Sequence, residues 1–402
     1  MNKRTIIIAG GVLGTLLLGV GLYFYFKTKS TGEGGTFPGP ATGLERTPAT
    51  GEEETNIPFT PGSDKPLPRL YQLHKIPVSG VTFYETGKNE TLAQNARYIE
   101  RSLGHIYQTS VATYKESRLT NETHPRVIEA LWGNNGQSLV LRSLDQGLEE
   151  SITSTLLDIT DPSKPVEHNL PDSIPFMATS EDGSNTLFYL ENGYNLAVGS
   201  IASLQGKDST KVFRSSFTEW LPQFPNKNLV TLTTRPSAKI PGYLFFLNPS
   251  TKTVQKILTN VTGLTTLTNG DGKLVAYSET NDGAPKLSVY NVSQKDSSAL
   301  PFWTLSEKCV WGKANNKVIY CAVPKNSQDV DFPDAWYQGA VVFSDEIWKF
   351  NTETGLSTRL LSLEDPETPR LDMQNLTISS DDAYILFMNK ITGTPWIFRI
   401  AL

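Results

Sequence analysis

Internal repetition constrains this chain more than any other feature, because self-similarity at a fixed period decides architecture before any local signal does. A turn of Asn, Asp or Gly leading into a short, β-rich apolar run recurs along the sequence. It appears as Asn135-Gly136 before Leu139-Val140-Leu141, Asp182-Gly183 before Leu187-Phe188-Tyr189, and Asn226-Lys227 before Leu229-Val230-Thr231-Leu232. It returns as Asp271-Gly272 before Leu274-Val275-Ala276-Tyr277, Asn315-Asn316 before Val318-Ile319-Tyr320, and Asp381-Asp382 before Tyr384-Ile385-Leu386-Phe387. Gln94-Asn95 before Tyr98-Ile99 reads as a degenerate first copy. Equivalent turn residues are 41, 47, 44, 45, 44 and 66 residues apart.

Asn-Gly and Asp-Gly tolerate the positive φ of tight hairpin turns, so each copy reads as a hairpin. Each is followed by a second apolar run, such as Leu196-Ala197-Val198 or Trp396-Ile397-Phe398, and then by a shorter, more polar strand such as Ser117-Arg118-Leu119-Thr120. Four strands per unit at a spacing of ~40–50 residues describe the blade of a β-propeller. Seven turns predict an all-β, seven-bladed ring over residues 67–402, with six blades as the alternative if the weak first copy packs irregularly. The last copy runs out after its third strand. Arg69-Leu70-Tyr71-Gln72-Leu73 resembles the outer strands, and pairing it with Trp396 to Arg399 would complete the last blade and remove an exposed edge.

Thr179-Ser180-Glu181-Asp182-Gly183 and Ser379-Ser380-Asp381-Asp382, the latter followed by Ile397-Phe398-Arg399, resemble the repeats of WD40-like and TolB-type propellers of the bacterial envelope. The family consensus places Pro before the Asp, and both copies here lack it. The resemblance covers residues ~69–402 and implies a fold more than a function.

The amino-terminal segments set the expected address. No charged residue occurs from Thr5 to Phe26, a stretch long enough to cross a ~30 Å hydrocarbon core as one transmembrane helix. The aromatic run Tyr23-Phe24-Tyr25-Phe26 suits a membrane interface. A cleaved signal peptide and a buried core helix compete with that reading, but the apolar run exceeds a typical ~7–15-residue signal core and no cleavage-like site follows it. With residues 1–4 cytoplasmic, 5–26 would act as a signal anchor and place the rest outside the cytoplasm. Residues 27–66 are rich in Gly, Pro, Thr and Glu without apolar periodicity, and read as a disordered tether with a reach on the order of 35 Å.

Cys309 and Cys321 lie symmetrically about Asn315. In the expected hairpin they face each other, close enough to bridge, and an extracytoplasmic location would allow oxidation. A disulfide is expected; two reduced core thiols are the alternative.

Chemistry is sparsely signalled. A net charge of −5 argues against a nucleic-acid partner. No nucleophile elbow, Walker loop, zincin helix, paired Cys-x-x-Cys or calcium loop occurs. His74, His105, His124 and His168 are scattered among blades without ligand spacing, so neither a metal nor a cofactor is expected. The one broken interval, between Val323 and Phe343 in the loop joining the second and third strands of blade six, carries Asp329, Asp331, Phe332, Asp334, Trp336 and Tyr337 as the candidate ligand-binding residues. Their rings either pack down over the blade edge or form an exposed patch beside carboxylates. The connection from Asp145 to Thr153, with Glu149-Glu150, is a second candidate.

Two functional classes follow. The first is a membrane-anchored extracytoplasmic module that binds a protein or an envelope polysaccharide. The second is an extracytoplasmic glycosidase or lyase with carboxylates gathered at the channel mouth.

Overall fold

The computed structural model describes residues 47–48, 67–145, 151–172, 174–206, 209–280, 283–326, 328, 330–363 and 369–400. The expected membrane span and nearly all of the tether lie outside these residues. Among the described residues no helix is long and apolar enough to cross a membrane.

Seven sheets are arranged in sequence order, six built on four antiparallel strands consecutive in the chain and the seventh on three consecutive strands completed by an early one, which makes seven blades rather than six. Blade six carries a further short parallel strand, Thr47–Pro48, at its outer edge. The innermost strands are Val78–Thr86, Val127–Gly133, Phe176–Thr179, Trp220–Asn226, Thr265–Thr268, Cys309–Trp311 and Met373–Ile378. That of blade seven packs against those of both blade six and blade one, so the sheets form a closed ring.

The ring closes as the sequence predicts. Leu70–Gln72 pairs antiparallel with Trp396–Phe398 as the outermost strand of blade seven. Leu73 N donates to Pro395 O at 2.9 Å and Arg399 N to Arg69 O at 2.8 Å, extending the ladder at both ends. The Tyr71 ring stacks on Tyr114 of blade one at 4.6 Å, which ties the closing strand to the next blade as well.

The hydrophobic core is divided among the blade interfaces. One cluster joins Ile99 and Ile106 of blade one to Val127 and Leu139 of blade two. Another joins Val318, Tyr320 and Ile347 of blade six to Met373, Ile385 and Phe387 of blade seven. A third closes the circle between Leu386 and Ile397 of blade seven and Val78 and Tyr98 of blade one. Because second strands are covered on both faces, they are apolar without alternation; all seven residues of Val318–Pro324 are buried.

The antiparallel order gives the ring two different faces. The hairpins joining first to second and third to fourth strands share one, the turn face. The loops joining second to third strands share the other, the loop face, with the links between blades. On the turn face, the Asx residues that shape the hairpins also fasten neighbouring blades. Asp182 Oδ2 accepts from Lys227 N at 2.9 Å, Asn226 Nδ2 donates to Gly270 O at 2.8 Å, and Asn316 Nδ2 donates to Asp271 Oδ2 at 2.9 Å. Asp382 Oδ1 accepts from Lys313 N at 2.7 Å, and Asp381 Oδ1 from Gln94 Nε2 at 2.9 Å. Asn135 Nδ2 donates to Glu85 O at 2.8 Å, so six of the seven interfaces carry such a bond, and between blades two and three Thr179 Oγ1 donates to Trp132 O at 2.6 Å.

The first copy is corrected by the structure. Gln94 and Asn95 lie inside the second strand of blade one, Ala93–Glu100, and the turn is at Gly87 to Thr91, where Asn89 takes φ 51°. With no Asn-Gly or Asp-Gly pair there, the sequence signal shifted onto the next Asn.

Cys309 and Cys321 are direct cross-strand partners and form the expected disulfide, with Cα atoms 4.0 Å apart, inside the core between blades five and six. Closing a loop of this size stabilises by ~2–3 kcal/mol. Reduction is expected to lower the melting temperature by several degrees, and the Cys309→Ala, Cys321→Ala double variant to melt at the same temperature with or without reductant. Deleting residues 67–73 should do far more, exposing the edge at Pro395–Arg399; if the shortened chain stays monomeric with an unchanged melt in chemical denaturant, the closing strand is dispensable.

Candidate functional site

The insertion of blade six follows Pro324, where the second strand ends, and returns at Asp345, where the third begins. It lies on the loop face, and its sequence makes it fold down. Phe332, Trp336, Val341 and Phe343 are buried and join Leu305 in a core cluster of their own. Phe332 packs on Phe343 at 5.7 Å between ring centroids, and Trp303 meets Phe343 edge-on at 5.8 Å. Of the two arrangements that the sequence leaves open, Phe332 and Trp336 take the one in which the rings pack down over the blade edge. Leaving two such rings in water costs more than packing them over the blade edge.

The polar residues of the insertion have other partners. Asp334 Oδ2 accepts from Ala238 N of blade four at 2.6 Å, and Asp331 pairs with Lys239 at 2.7 Å in an exposed ion pair of little energetic weight. Tyr337 Oη donates to Glu307 Oε1 at 2.6 Å. Burial pushes the Glu307 carboxyl up from its ordinary range and the Tyr337 hydroxyl well up from its own, the latter helped by the adjacent Glu307 charge. Lys390 of blade seven donates to Trp336 O and sits 3.9 Å from the centre of the Trp336 ring. The insertion thus bridges blades four, six and seven as a cap. Of the six candidate residues, Asp331, Asp334, Tyr337, Phe332 and Trp336 are brought together here, the last two inward; Asp329 lies outside the described residues, as do Glu149 and Glu150.

Beneath the cap is a charged cluster that the sequence reading passed over. Lys308, Asp345 and Asp372 are all completely buried. Lys308 precedes the innermost strand of blade six and Asp372 that of blade seven, while Asp345 opens the third strand of blade six. Lys308 Nζ lies 2.5 Å from Asp372 Oδ1, 2.9 Å from Asp345 Oδ2 and 2.9 Å from Met373 O, which uses its three protons. Asp372 also accepts from Trp336 Nε1 at 3.1 Å and from Phe343 N at 3.2 Å, and so grips the cap directly. Asp345 Oδ2 accepts from Met373 N at 2.7 Å, whereas its Oδ1 has no partner. Three charged side chains do converge at the loop-face end of the ring, but all are completely buried and bonded to one another, with Asp345 Oδ1 left over. The arrangement fastens the cap; as it stands it presents no group to a substrate.

A second polar cluster, partly open to solvent, lies in blade one and next to the closing strand. His74 Nδ1 and Glu116 Oε2 are 2.8 Å apart, and Tyr98 Oη donates to the same oxygen at 2.6 Å. Burial works against the Glu116 charge, but the bonds from His74 and Tyr98 outweigh it and hold the carboxyl below its usual range.

The faces differ in their apolar surface. Of the eleven exposed large hydrophobics among the described residues, Val166, Val254 and Leu356 lie toward the turn face. The other eight lie toward the loop face, Leu196 at the start of a strand and Ile76, Leu103, Ile240, Ile391, Tyr194, Phe217 and Tyr337 on connections.

No family profile matches the chain, and no curated protein matches it in sequence. Solved structures do resemble it. An oligogalacturonate lyase in complex with manganese is 12% identical over 81% of this chain and 98% of its own, with a TM-score of 0.51. The WD40 domain of Pan2 from Neurospora crassa is 9% identical over 83% of this chain and 96% of its own, also at 0.51. A puromycin-hydrolyzing peptidase of Mycobacterium tuberculosis is 11% identical over 78% of this chain but only 52% of its own, at 0.50. At these identities the likeness is one of fold: the chain is a seven-bladed β-propeller, akin in architecture to WD40 domains.

Two outcomes test the cap's anchor. Lys308→Met leaves two buried carboxylates uncompensated and is expected to destabilise by ~3–5 kcal/mol in denaturant titrations. Burial, opposed by Lys308 and reinforced by Asp372, pushes the Asp345 carboxyl from 3.8 up to about 6. A raised carboxyl favours folding while protonated, so its contribution is complete below pH ~4 and is lost as pH rises through about 6. The melting temperature of Asp345→Asn relative to the unaltered chain should therefore rise between pH 4 and 7.5; a constant offset would show that Asp345 does not titrate there.

Proposed function

We propose that the chain is a membrane-anchored, extracytoplasmic propeller that binds a protein partner through its loop face. The observation that carries this reading is the uneven placement of exposed apolar side chains, eight of eleven on one face. Scattered surface hydrophobics are ordinary, whereas enrichment on one face marks an interaction surface. The most open of them, Tyr194 at 97% and Ile240 at 66%, sit on loops of blades three and four. The cap supports the same reading, because an insertion fastened to three blades offers Tyr337 and Asp331 from a rigid base, and preorganised contacts lose less entropy on binding.

Two further features agree. The Cys309–Cys321 disulfide suits an oxidising compartment. Aliphatic side chains predominate among the eight, which favours a protein over an envelope polysaccharide. The alternative of a carbohydrate-active enzyme requires carboxylates open at the axis, and Asp345 and Asp372 are engaged below the cap.

The test compares two triple variants of the full chain by cross-linking and recovery from membranes. Replacing Tyr194, Ile240 and Ile391 by Ser should reduce the recovered partner at least tenfold. Replacing Val166, Val254 and Leu356 by Ser should leave it unchanged. Equal recovery with both variants would remove the loop face as the docking surface.

A further inference from the structure

We propose that Glu122, His124 and Glu167 form a binding site for a divalent first-row transition ion, zinc fitting best, at the junction of blades one and two. Glu122 and His124 lie on the link between the blades, and Glu167 on the outermost strand of blade two, Val166–Asn169. Each offers one ligand atom, and the three atoms lie within 4.8 Å of one another. An ion held at ~2.0–2.2 Å from each would draw them to ~3.4 Å apart, a rotation open to two exposed glutamate side chains.

The imidazole points to a ligand. His124 Nε2 is buried without a hydrogen-bond partner, 3.7 Å from Glu167 Oε1, which is too far for a hydrogen bond. The His124 side chain is 15% exposed while its Nε2 is shielded from water, and a metal–nitrogen bond would give that atom the partner it lacks. His124 is also held in place before any ion arrives. Its backbone N donates to Leu103 O at 2.8 Å. Gly104, at φ +70°, packs so closely that a Cβ there would lie 2.3 Å from His124 O and 2.6 Å from His124 Cβ.

The donor set selects the class of ion. Calcium takes ~6–8 oxygen ligands, and magnesium avoids nitrogen, whereas one imidazole with two carboxylates suits zinc and its neighbours. Three protein ligands leave a position for water or for a donor from another molecule. A bound ion would staple the interblade link to the outer edge of blade two, adding a crosslink where the closing strand and the disulfide supply none.

Isothermal titration of the full chain with ZnCl2, after dialysis against chelator, is expected to show one saturable site. His124→Ala and Glu167→Gln should each weaken it at least tenfold. Gly104→Ala, which displaces His124 without removing a ligand, should weaken it too, and His168→Ala, an exposed neighbouring imidazole, should leave it unchanged. Zinc should raise the melting temperature of the unaltered chain but not of His124→Ala. The proposal fails if the folded chain shows no saturable zinc binding, if folded His124→Ala binds as tightly, or if calcium binds more tightly than zinc.

Discussion

The ring depends on closure. Seven radial sheets each bury apolar faces against two neighbours, so no blade is stable alone and every interface needs the next one. The circle holds because three residues near residue 70 pair with three near residue 397. Without that ladder, blade seven would end in an open edge and the core between Val78, Tyr98, Leu386 and Ile397 would open to water. The loop closed by this contact is nearly the whole propeller, and its entropy is offset only when all the interfaces form together.

Around the turn face the same economy appears at the level of single side chains. Asn and Asp occupy hairpin positions because they accept a left-handed or bridging backbone, and Asp382, at φ 57°, is one such case. Once there, their side-chain atoms reach the adjacent turn. Asp382 illustrates both roles: it shapes the hairpin of blade seven and accepts backbone N–H groups of Lys313, Ala314 and Asn315 in blade six. The motif that makes the repeat visible in the sequence is therefore also part of what joins the blades. The turn face is consequently tied down, while the loop face is free to carry insertions and exposed side chains.

The cap shows why a site is harder to read than a fold. Residues 325 to 344 stand out because they break the period, and their aromatic content marks them as unusual. Whether Phe332 and Trp336 face in or out depends on what lies beneath, which here is Lys308 between Asp345 and Asp372. Those three are separated by 37 and 27 positions in the chain, and none belongs to a motif. Glu122, His124 and Glu167 behave alike: a Glu-x-His pair is visible locally, but its third member comes from the next blade. Propeller blades bring their loops together in space without any shared sequence signature, so clusters drawn from several blades leave no spacing to find.

Residues taken in order determined the number of blades, the strand that closes the ring, the bridged cysteines and the location of the one insertion, because these follow from period, turn chemistry and local pairing. Tertiary structure alone decided the first hairpin at Gly87 to Thr91, the inward turn of Phe332 and Trp336, the buried Lys308 cluster and the apolar bias of the loop face. The division has a physical cause. Hairpins and periodic strands are set by neighbours a few residues away, whereas burial and charge pairing are set by whichever blade the closed ring places alongside.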